Sequence, residues 1–317
     1  MGLNLLEPRP EDYGVQIQIS PQLRRILAPN PSPMTNLGTN TYLIGSSDIA
    51  VIDPGPASDV HLNSILQALE PGQFISHIFI SHTHLDHSAL ARSLSEKTGA
   101  PIVGFGSYLE GRSAVMTQLA KAGLVGGGEG TDSDFTPDRQ IRHGERICGS
   151  TWELEVIHTP GHTGNHIALA WGDDCFTADH VMDWSTSLIS PPDGDLTDFM
   201  ESCHQLLQRN WKYFFPGHGA PVLHPVERLN WLIAHRNNRE NAILDALHLN
   251  PSTPSELVAQ VYVDTPKDLR PAAMRNVFAH LIHLYGKSQV LIEGKLSINA
   301  TFRLSKSSDS AKSSGKA

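Results

Sequence analysis

His82, His84, Asp86 and His87 fall within six consecutive residues, and imidazole and carboxylate are ordinary ligands for a borderline divalent cation. In extended chain, positions i and i+2 point to the same side, so His82 and His84 can reach one cation. Asp86 and His87 come where the chain turns away and can serve a second. Three more donors follow: His162 in Thr159-Pro160-Gly161-His162-Thr163, Asp179 in Phe176-Thr177-Ala178-Asp179, and His218 in Phe215-Pro216-Gly217-His218-Gly219. Each stands just past an apolar run, where a rigid sheet can aim its loops at one point. His166, four residues after His162, is a candidate either to donate to a substrate oxyanion or to orient a ligand. Tyr108 is a candidate wall of the same pocket. His77, His143 and His158 belong to no motif, and His180 points away from Asp179 if the strand continues.

The elements that must position these groups can be read from periodicity. Asn40 to Ile44 and Ile49 to Asp53 read as two short strands joined by Gly45-Ser46-Ser47. Leu62, Ile65, Leu66 and Leu69 have helical spacing. Ile75 to Ile80 reads as a strand leading into the His cluster, a helix from Ser88 to Gly99 follows, and residues 100–105 read as a strand. Trp152 to Ile157, Ile167 to Trp171, Asp174 to Thr177 and Tyr213 to Phe215 are further short strands, and Thr197 to Leu207 reads as a helix. The alternation is that of an α/β fold. Gly123 to Gly130 is glycine-rich but lacks the Lys-Ser/Thr of a phosphate-binding loop, so it reads as a flexible surface loop.

The character changes near residue 225. Val226 to Leu249 reads as one long helix or two in tandem. Thr253-Pro254-Ser255-Glu256 is a capping box opening a helix through Tyr262. Met274, Val277, Leu281 and Leu284 stripe a third helix that Gly286 closes. Gln289 to Ile292, a Gly294-Lys295 turn, and Leu296 to Arg303 make a hairpin. Three helices and a hairpin are the order of a winged helix. The boundaries expected are an N-terminal extension over 1–14, a catalytic unit over 15–224, connecting helices over 225–250, a winged-helix-like unit over 251–304 and a disordered tail over 305–317.

The series HxHxDH, a later His, an Asp and a C-terminal His resembles the metallo-β-lactamase fold superfamily over roughly residues 15–224. That resemblance implies an αββα sandwich followed here by the small winged-helix-like domain. It implies that His82, His84 and His162 hold one metal, that Asp86, His87 and His218 hold a second, and that Asp179 bridges both. Asp53, in Val51-Ile52-Asp53-Pro54-Gly55, matches the family's mainly structural Asp. The resemblance implies two Zn²⁺, with Fe or Mn as alternative occupants, sharing a water whose pKa falls towards about 7. The resulting hydroxide would attack carbon or phosphorus, and Asp86 would help to orient it.

The zinc β-lactamases generally lack a bridging Asp, so true β-lactamase activity is not expected. The C-terminal segment, together with Asn36-Leu37-Gly38-Thr39-Asn40-Thr41-Tyr42 and Trp184-Ser185-Thr186, resembles the β-lactamase-like branch that includes the mitochondrial single-strand endoribonuclease. Two substrates remain open: a small ester, thioester or lactone, and single-stranded RNA. The winged helix would be a structural or dimerising appendage that also walls the active site in the first case, making a homodimer an option, and a guide for the strand in the second.

Composition bounds these readings. The chain has 317 residues, 39% hydrophobic and 18% charged, with 17 His and a net charge of −9. Residues 1–235 hold 13 Lys and Arg against 26 Asp and Glu, and residues 236–317 hold 11 against 7, giving −13 and +4. An acidic catalytic unit is a poor polyanion binder, and RNA needs several phosphate contacts. No apolar stretch is long enough for a membrane span. Cys148, Cys175 and Cys203 form no CxxC pair and read as reduced thiols. The N-terminus has no basic and apolar secretory pattern, so the expected location is cytoplasmic.

Overall fold

The computed structural model describes residues 7–126, 130–263, 265–266 and 269–305. The first six residues of the N-terminal extension, Gly127-Gly128-Glu129 of the glycine-rich loop and the tail from Lys306 onward lie outside the described residues.

Two sheets face each other. The first runs in sequence order: β1 (Gln16–Ser20), β2 (Leu23–Leu27), β3 (Asn40–Ile44), β4 (Asp48–Ile52), β5 (Phe74–Ile80), β6 (Ile102–Gly104) and β7 (Arg139–Gln140). Helix α1 (Asp59–Gln67) links β4 to β5. Helices α2 (Leu85–Ser88) and α3 (Ala91–Thr98) link β5 to β6, and α4 (Ala114–Lys121) precedes β7. The second sheet has the order β12-β11-β10-β9-β8. Its members are β8 (Arg146–Cys148), β9 (Glu153–His158), β10 (Ile167–Trp171), β11 (Asp174–Ala178) and β12 (Tyr213–Pro216), with α5 (Leu196–Leu206) between the last two.

The central strands of each sheet are buried on both faces, because side chains of a strand alternate between faces and each face has a layer to meet. In β4, Ala50 and Ile52 point between the sheets, joining Phe79, Leu154, Leu169 and Phe176. Ile49 and Val51 point outward onto Leu62 and Ile65 of α1 and Leu94 of α3. Ile157, Ala168, Cys175 and Phe214 of the second sheet pack outward on Phe199 and Cys203 of α5. The layers are therefore helix, sheet, sheet, helix.

This topology explains why the donors converge. β4 and β5 are parallel, so Asp53 and the His82 cluster leave the first sheet at one edge. β9 and β11 are both antiparallel to β10, and β12 is parallel to β11, so His162, Asp179 and His218 all follow the same edge of the second sheet.

The helix expected from Ser88 starts earlier and is broken. α2 begins at Leu85, inside the His cluster. It stops because His87 O accepts from Gly55 N and Leu90 N donates to Gly55 O, at 3.2 and 3.1 Å, in place of continued helical bonding. The loop after β4 and the cluster loop are thus tied backbone to backbone.

The C-terminal part contains α6 (Pro225–Leu249), α7 (Pro254–Val261), α8 (Arg270–Gly286), β13 (Val290–Glu293) and β14 (Thr301–Leu304). α6 is one continuous helix. Leu229 and Leu232 pack with α5 and the second sheet, and Ile243 and Leu247 pack with α7, α8 and Phe302. The capping box at Thr253 and Glu256 is formed. The hairpin differs from expectation: its second strand begins at Thr301, and residues 294–300 form a wing rather than a two-residue turn. Met116 and Leu119 of α4 join this C-terminal core, so it is packed onto the rest of the chain.

His280, on α8, is 1% exposed, and neither ring nitrogen has a hydrogen-bond partner. Burial, and next the Arg236 cation, hold its pKa well below the ordinary value. The unfolded chain takes up that proton near pH 6.5 and the folded chain does not, so this contribution destabilises the fold as pH drops below about 6.5. His280→Leu is expected to raise unfolding stability by about 1–3 kcal/mol at pH 7 by removing two unsatisfied groups. The gain should be about 2 kcal/mol larger at pH 5. Urea melts at both pH values test this; a variant no more stable at either would show that the ring is satisfied in solution.

Candidate metal centre

The seven donors form two adjoining buried groups. His82, His84, His162 and Asp179 make one, and Asp86, His87 and His218 make the other; within each, the ligand atoms lie within 4.8 Å of one another. In the first group, His84 Nδ1 lies 3.0 Å from both His82 Nε2 and His162 Nε2. In the second, His87 Nε2 and His218 Nε2 are 3.3 Å apart, and they lie 3.3 and 3.2 Å from Asp86 Oδ2.

Asp179 joins the two groups. Its Oδ2 is 3.6 Å from His162 Nε2, while its Oδ1 is 3.4 Å from His87 Nε2 and 3.3 Å from His218 Nε2. One carboxylate thus offers an oxygen to each side. It is presented by a tight turn: Ala178 has φ 42° at the end of β11, a left-handed conformation uncommon for a side-chain-bearing residue.

These atoms fit divalent cations. Donors bound tetrahedrally at 2.0–2.1 Å stand about 3.3 Å apart, close to the separations in the second group. Asp86 Oδ1 and Asp179 Oδ1 are buried and accept no hydrogen bond. Two buried carboxylates left so short of donors call for positive charge.

The outer contacts fix which nitrogen of each ring faces inward. His87 Nδ1 donates to Asp53 Oδ2 at 2.9 Å, His162 Nδ1 to Leu188 O at 2.8 Å, and His218 Nδ1 to Gly38 O at 3.1 Å. Nε2 is thereby left to each donor group. Asp53 itself is held at φ 50°, with Oδ1 accepting from Ser81 N at 2.8 Å and Oδ2 from Ser81 Oγ at 2.7 Å. Asn40 Nδ2 donates to Pro216 O and Gly219 O, pinning the turn that carries His218.

The protonation balance reflects the same charge. Burial opposes ionisation throughout. In His218, burial is outweighed by Asp179 and Asp86, which push it up to about 10, and His87 is likewise held well above its ordinary value. Burial, then His162, pulls His84 down to about 3. Asp86 and Asp179 stay well below the usual carboxylate range because His87 and His218 outweigh burial.

A cleft opens on this centre. His84, Asp86, His162, Asp179 and His218 form its floor, and Pro33, Met34, Met182, Trp184, Ser185, Thr186 and Leu188 its walls. His166 does not reach it. The ring is fully buried, its Nδ1 pairs with Thr159 Oγ1 at 2.9 Å, and it packs behind His82 at 5.1 Å between centroids. Of the two roles expected for His166, contact with a substrate oxyanion is therefore corrected: the ring supports His82 from behind. Tyr108 lines a different cavity, beside Arg112 and Asp193. His180 faces Phe199 and Cys203, away from the centre.

The outer residues Gly38, Ser187 and Leu188 were not singled out by residue type, because two of them act through a backbone oxygen. The one sequence signal was the placement of Gly38 in a stretch already noted for its resemblance to the β-lactamase-like branch.

Gly217 leaves no room beside the second group. A Cβ there would lie 2.5 Å from Asp179 Oδ1 and 2.7 Å from His87 Cε1. Gly217→Ala should lower the metal content and cost about 100-fold in activity, as expected when groups at a site are displaced by about an ångström. Metal content per chain, measured beside the wild type, checks this; full loading would show that the loop yields.

The fold and this centre define a metallo-β-lactamase architecture, and the chain belongs to the metallo-β-lactamase superfamily, whose members are hydrolases. The superfamily's profile matches residues 34–234, and that of the beta-lactamase associated winged helix domain matches residues 253–295. The chain is 32% identical over 299 residues to a beta-lactamase-like protein 2 homolog of Drosophila melanogaster, covering 90% of this chain and 91% of that one. It is 26% identical over 234 residues to an atrochrysone carboxyl ACP thioesterase of Cryptosporiopsis sp., covering 73% of this chain and 64% of that one. A beta-lactamase domain protein from Burkholderia ambifaria shares the fold with a TM-score of 0.78 at 19% identity, covering 96% of this chain and 97% of that one.

Proposed function

We propose that the protein is a two-metal hydrolase, with zinc as the metal, acting on an ester, thioester or lactone. The observation that carries this is Asp179, whose two oxygens divide between two donor groups of the right chemistry. His82, His84 and His162 would hold one cation, and Asp86, His87 and His218 the other. When bound, such a pair lowers the pKa of water and stabilises negative charge growing on a substrate oxygen. Asp86 Oδ2 lies against His87 and His218 while Oδ1 has no hydrogen-bond partner, so Oδ1 would be the atom left to orient the attacking water. Met34, Met182, Trp184 and Leu188 shed water around the non-reacting part of the substrate, favouring an apolar acyl group.

The relative named as a thioesterase supports this substrate class. The alternative, single-strand endoribonuclease, has less support, because none of the cleft-lining residues is Lys or Arg. Residues 15–224 would form the catalytic unit, 225–250 the connector and 251–304 the winged-helix unit. Among the described residues, no helix is long and apolar enough to cross a membrane; a cytoplasmic location remains part of the proposal. Metal analysis of chain purified without chelator, followed by assay on thioesters, lactones and single-stranded RNA, tests the reading. About two zinc ions per chain and thioester or lactone turnover are expected. No bound metal would overturn it, and cleavage confined to RNA would replace it with the alternative.

A further inference from the structure

The segment from Met182 to Pro191 supplies the cleft wall and also the acceptors of His162. Leu188 O and Ser187 Oγ lie 2.8 and 3.1 Å from His162 Nδ1. Yet residues 182–190 contain no helix or strand. Their restraint comes from α6 and α8. Arg228 donates to Met182 O at 2.8 Å and Ser185 O at 2.7 Å. Arg236 Nη2 donates to Ser187 O at 2.5 Å, and its Nη1 to Asn276 Oδ1 at 3.3 Å. Asn276 Oδ1 also accepts from Ile189 N at 3.1 Å. Arg275 Nη1 reaches Ser190 Oγ at 3.1 Å.

We propose that Arg236 and Asn276 are positioning residues. They hold Ser187 to Ile189 so that Leu188 O fixes the tautomer of His162 and keeps its Nε2 facing His84 and Asp179. The C-terminal helices are then part of the catalytic apparatus rather than an appendage. This rests on the reading of His82, His84, His162 and Asp179 as a metal site. Arg236 is 2% exposed and has no carboxylate among its hydrogen-bond partners, which are Ser187 O and Asn276 Oδ1. Burying a guanidinium for two such bonds is costly, and fixing the segment is what the arrangement gains. The two-pronged geometry belongs to arginine; a lysine ammonium cannot span both acceptors in the same way.

The test uses the full chain with Arg236→Met, Arg236→Lys and Asn276→Ala. Arg239→Met is the matched control: it lies on the same helix, but bonds Val261 O at 2.8 Å and covers the Tyr262 ring, away from the segment. Zn²⁺ affinity is measured by chelator competition, and backbone amide exchange over residues 185–190 by mass spectrometry. Arg236→Met and Asn276→Ala should weaken one of the two zinc ions by about 10–100-fold, the usual effect of losing an outer partner of a ligand. Both should speed exchange over 185–190, Arg236→Lys should not rescue, and Arg239→Met should do neither. Wild-type affinity and exchange in Arg236→Met, or equal losses in Arg239→Met, would overturn the proposal. If the wild type takes up no zinc, the metal reading fails separately and exchange alone decides: faster in Arg236→Met than in Arg239→Met supports the positioning role, and equal rates refute it.

Discussion

Asp179→Asn should lose at least about 10³-fold in kcat/KM, about 4 kcal/mol of transition-state stabilisation, and bind one metal instead of two. The substitution keeps the shape of the side chain and changes only what its two terminal atoms offer. Oδ2 faces His162 and Oδ1 faces both His87 and His218, so the amide must place its NH₂ on one side or the other. Whichever side receives it gains a donor where a cation requires an acceptor. The strand beneath is unaffected: β11 pairs with β10 and β12 through backbone atoms that the change does not touch. Circular dichroism should therefore match the wild type while metal content falls by half. Two metals and wild-type turnover in this variant would remove Asp179 from its bridging role.

The convergence of the seven candidate donors was legible because its signal is local. Each donor follows a short apolar strand, and the order of the motifs survives in sequence whatever lies between. The layering came from the resemblance: Ile49, Ala50, Val51 and Ile52 are apolar throughout and show no period of two, and their alternation between two cores appears only in the fold. What escaped detection depends on contacts distant in sequence. β1 and β2 carry Gln16, Gln18, Arg24 and Arg25, which read as surface residues. Yet Arg24 is buried because its guanidinium donates to Ala68 O and Gln73 Oε1, 44 and 49 residues away. β7 and β8 are two and three residues long, too short for a pattern. The break between α2 and α3 comes from Gly55, and no residue within the helices announces it.

The reading of His166 shows the same limit. Spacing placed it four residues from a candidate ligand, His162, which matched its proximity and was silent on direction. Only the bond to Thr159 and the ring packed on His82 show that it faces the back of the centre. The arginines of α8 and of α6 beyond residue 235 were likewise counted in the net charge of +4 on residues 236–317. Two of them, Arg236 and Arg275, instead point inward at a carbonyl and a hydroxyl of one segment. A charge sum cannot distinguish a basic surface from cations spent on internal hydrogen bonds, and so it overstated the case for a strand-guiding patch.

Asp53→Asn should weaken the second metal by about 10–100-fold without unfolding the chain, although Asp53 belongs to neither donor group. In the wild type, Asp53 Oδ2 accepts from His87 Nδ1, so that when the ring gives up a proton to bind a cation it is Nε2, facing Asp86, His218 and Asp179, that is left bare. An asparagine would keep its oxygen on Ser81 N, the bond that ties β4 to the cluster loop. Its NH₂ then takes the place of Oδ2. Ser81 Oγ can turn from donor to acceptor, but His87 Nδ1 must also become an acceptor, which moves its proton to Nε2. A protonated Nε2 cannot hold a cation, so each binding event must first reverse the tautomer and break that bond. Asp53→Ala would instead leave Ser81 N, Ser81 Oγ and His87 Nδ1 all without an acceptor, and should also destabilise the fold by about 3–5 kcal/mol. Zinc titration against a chelator separates the variants from the wild type, and thermal melts of the metal-free chains separate them from each other. Unchanged zinc affinity in Asp53→Asn would show that His87 is not held through its tautomer, and that Asp53 acts only as a structural tie between the two loops.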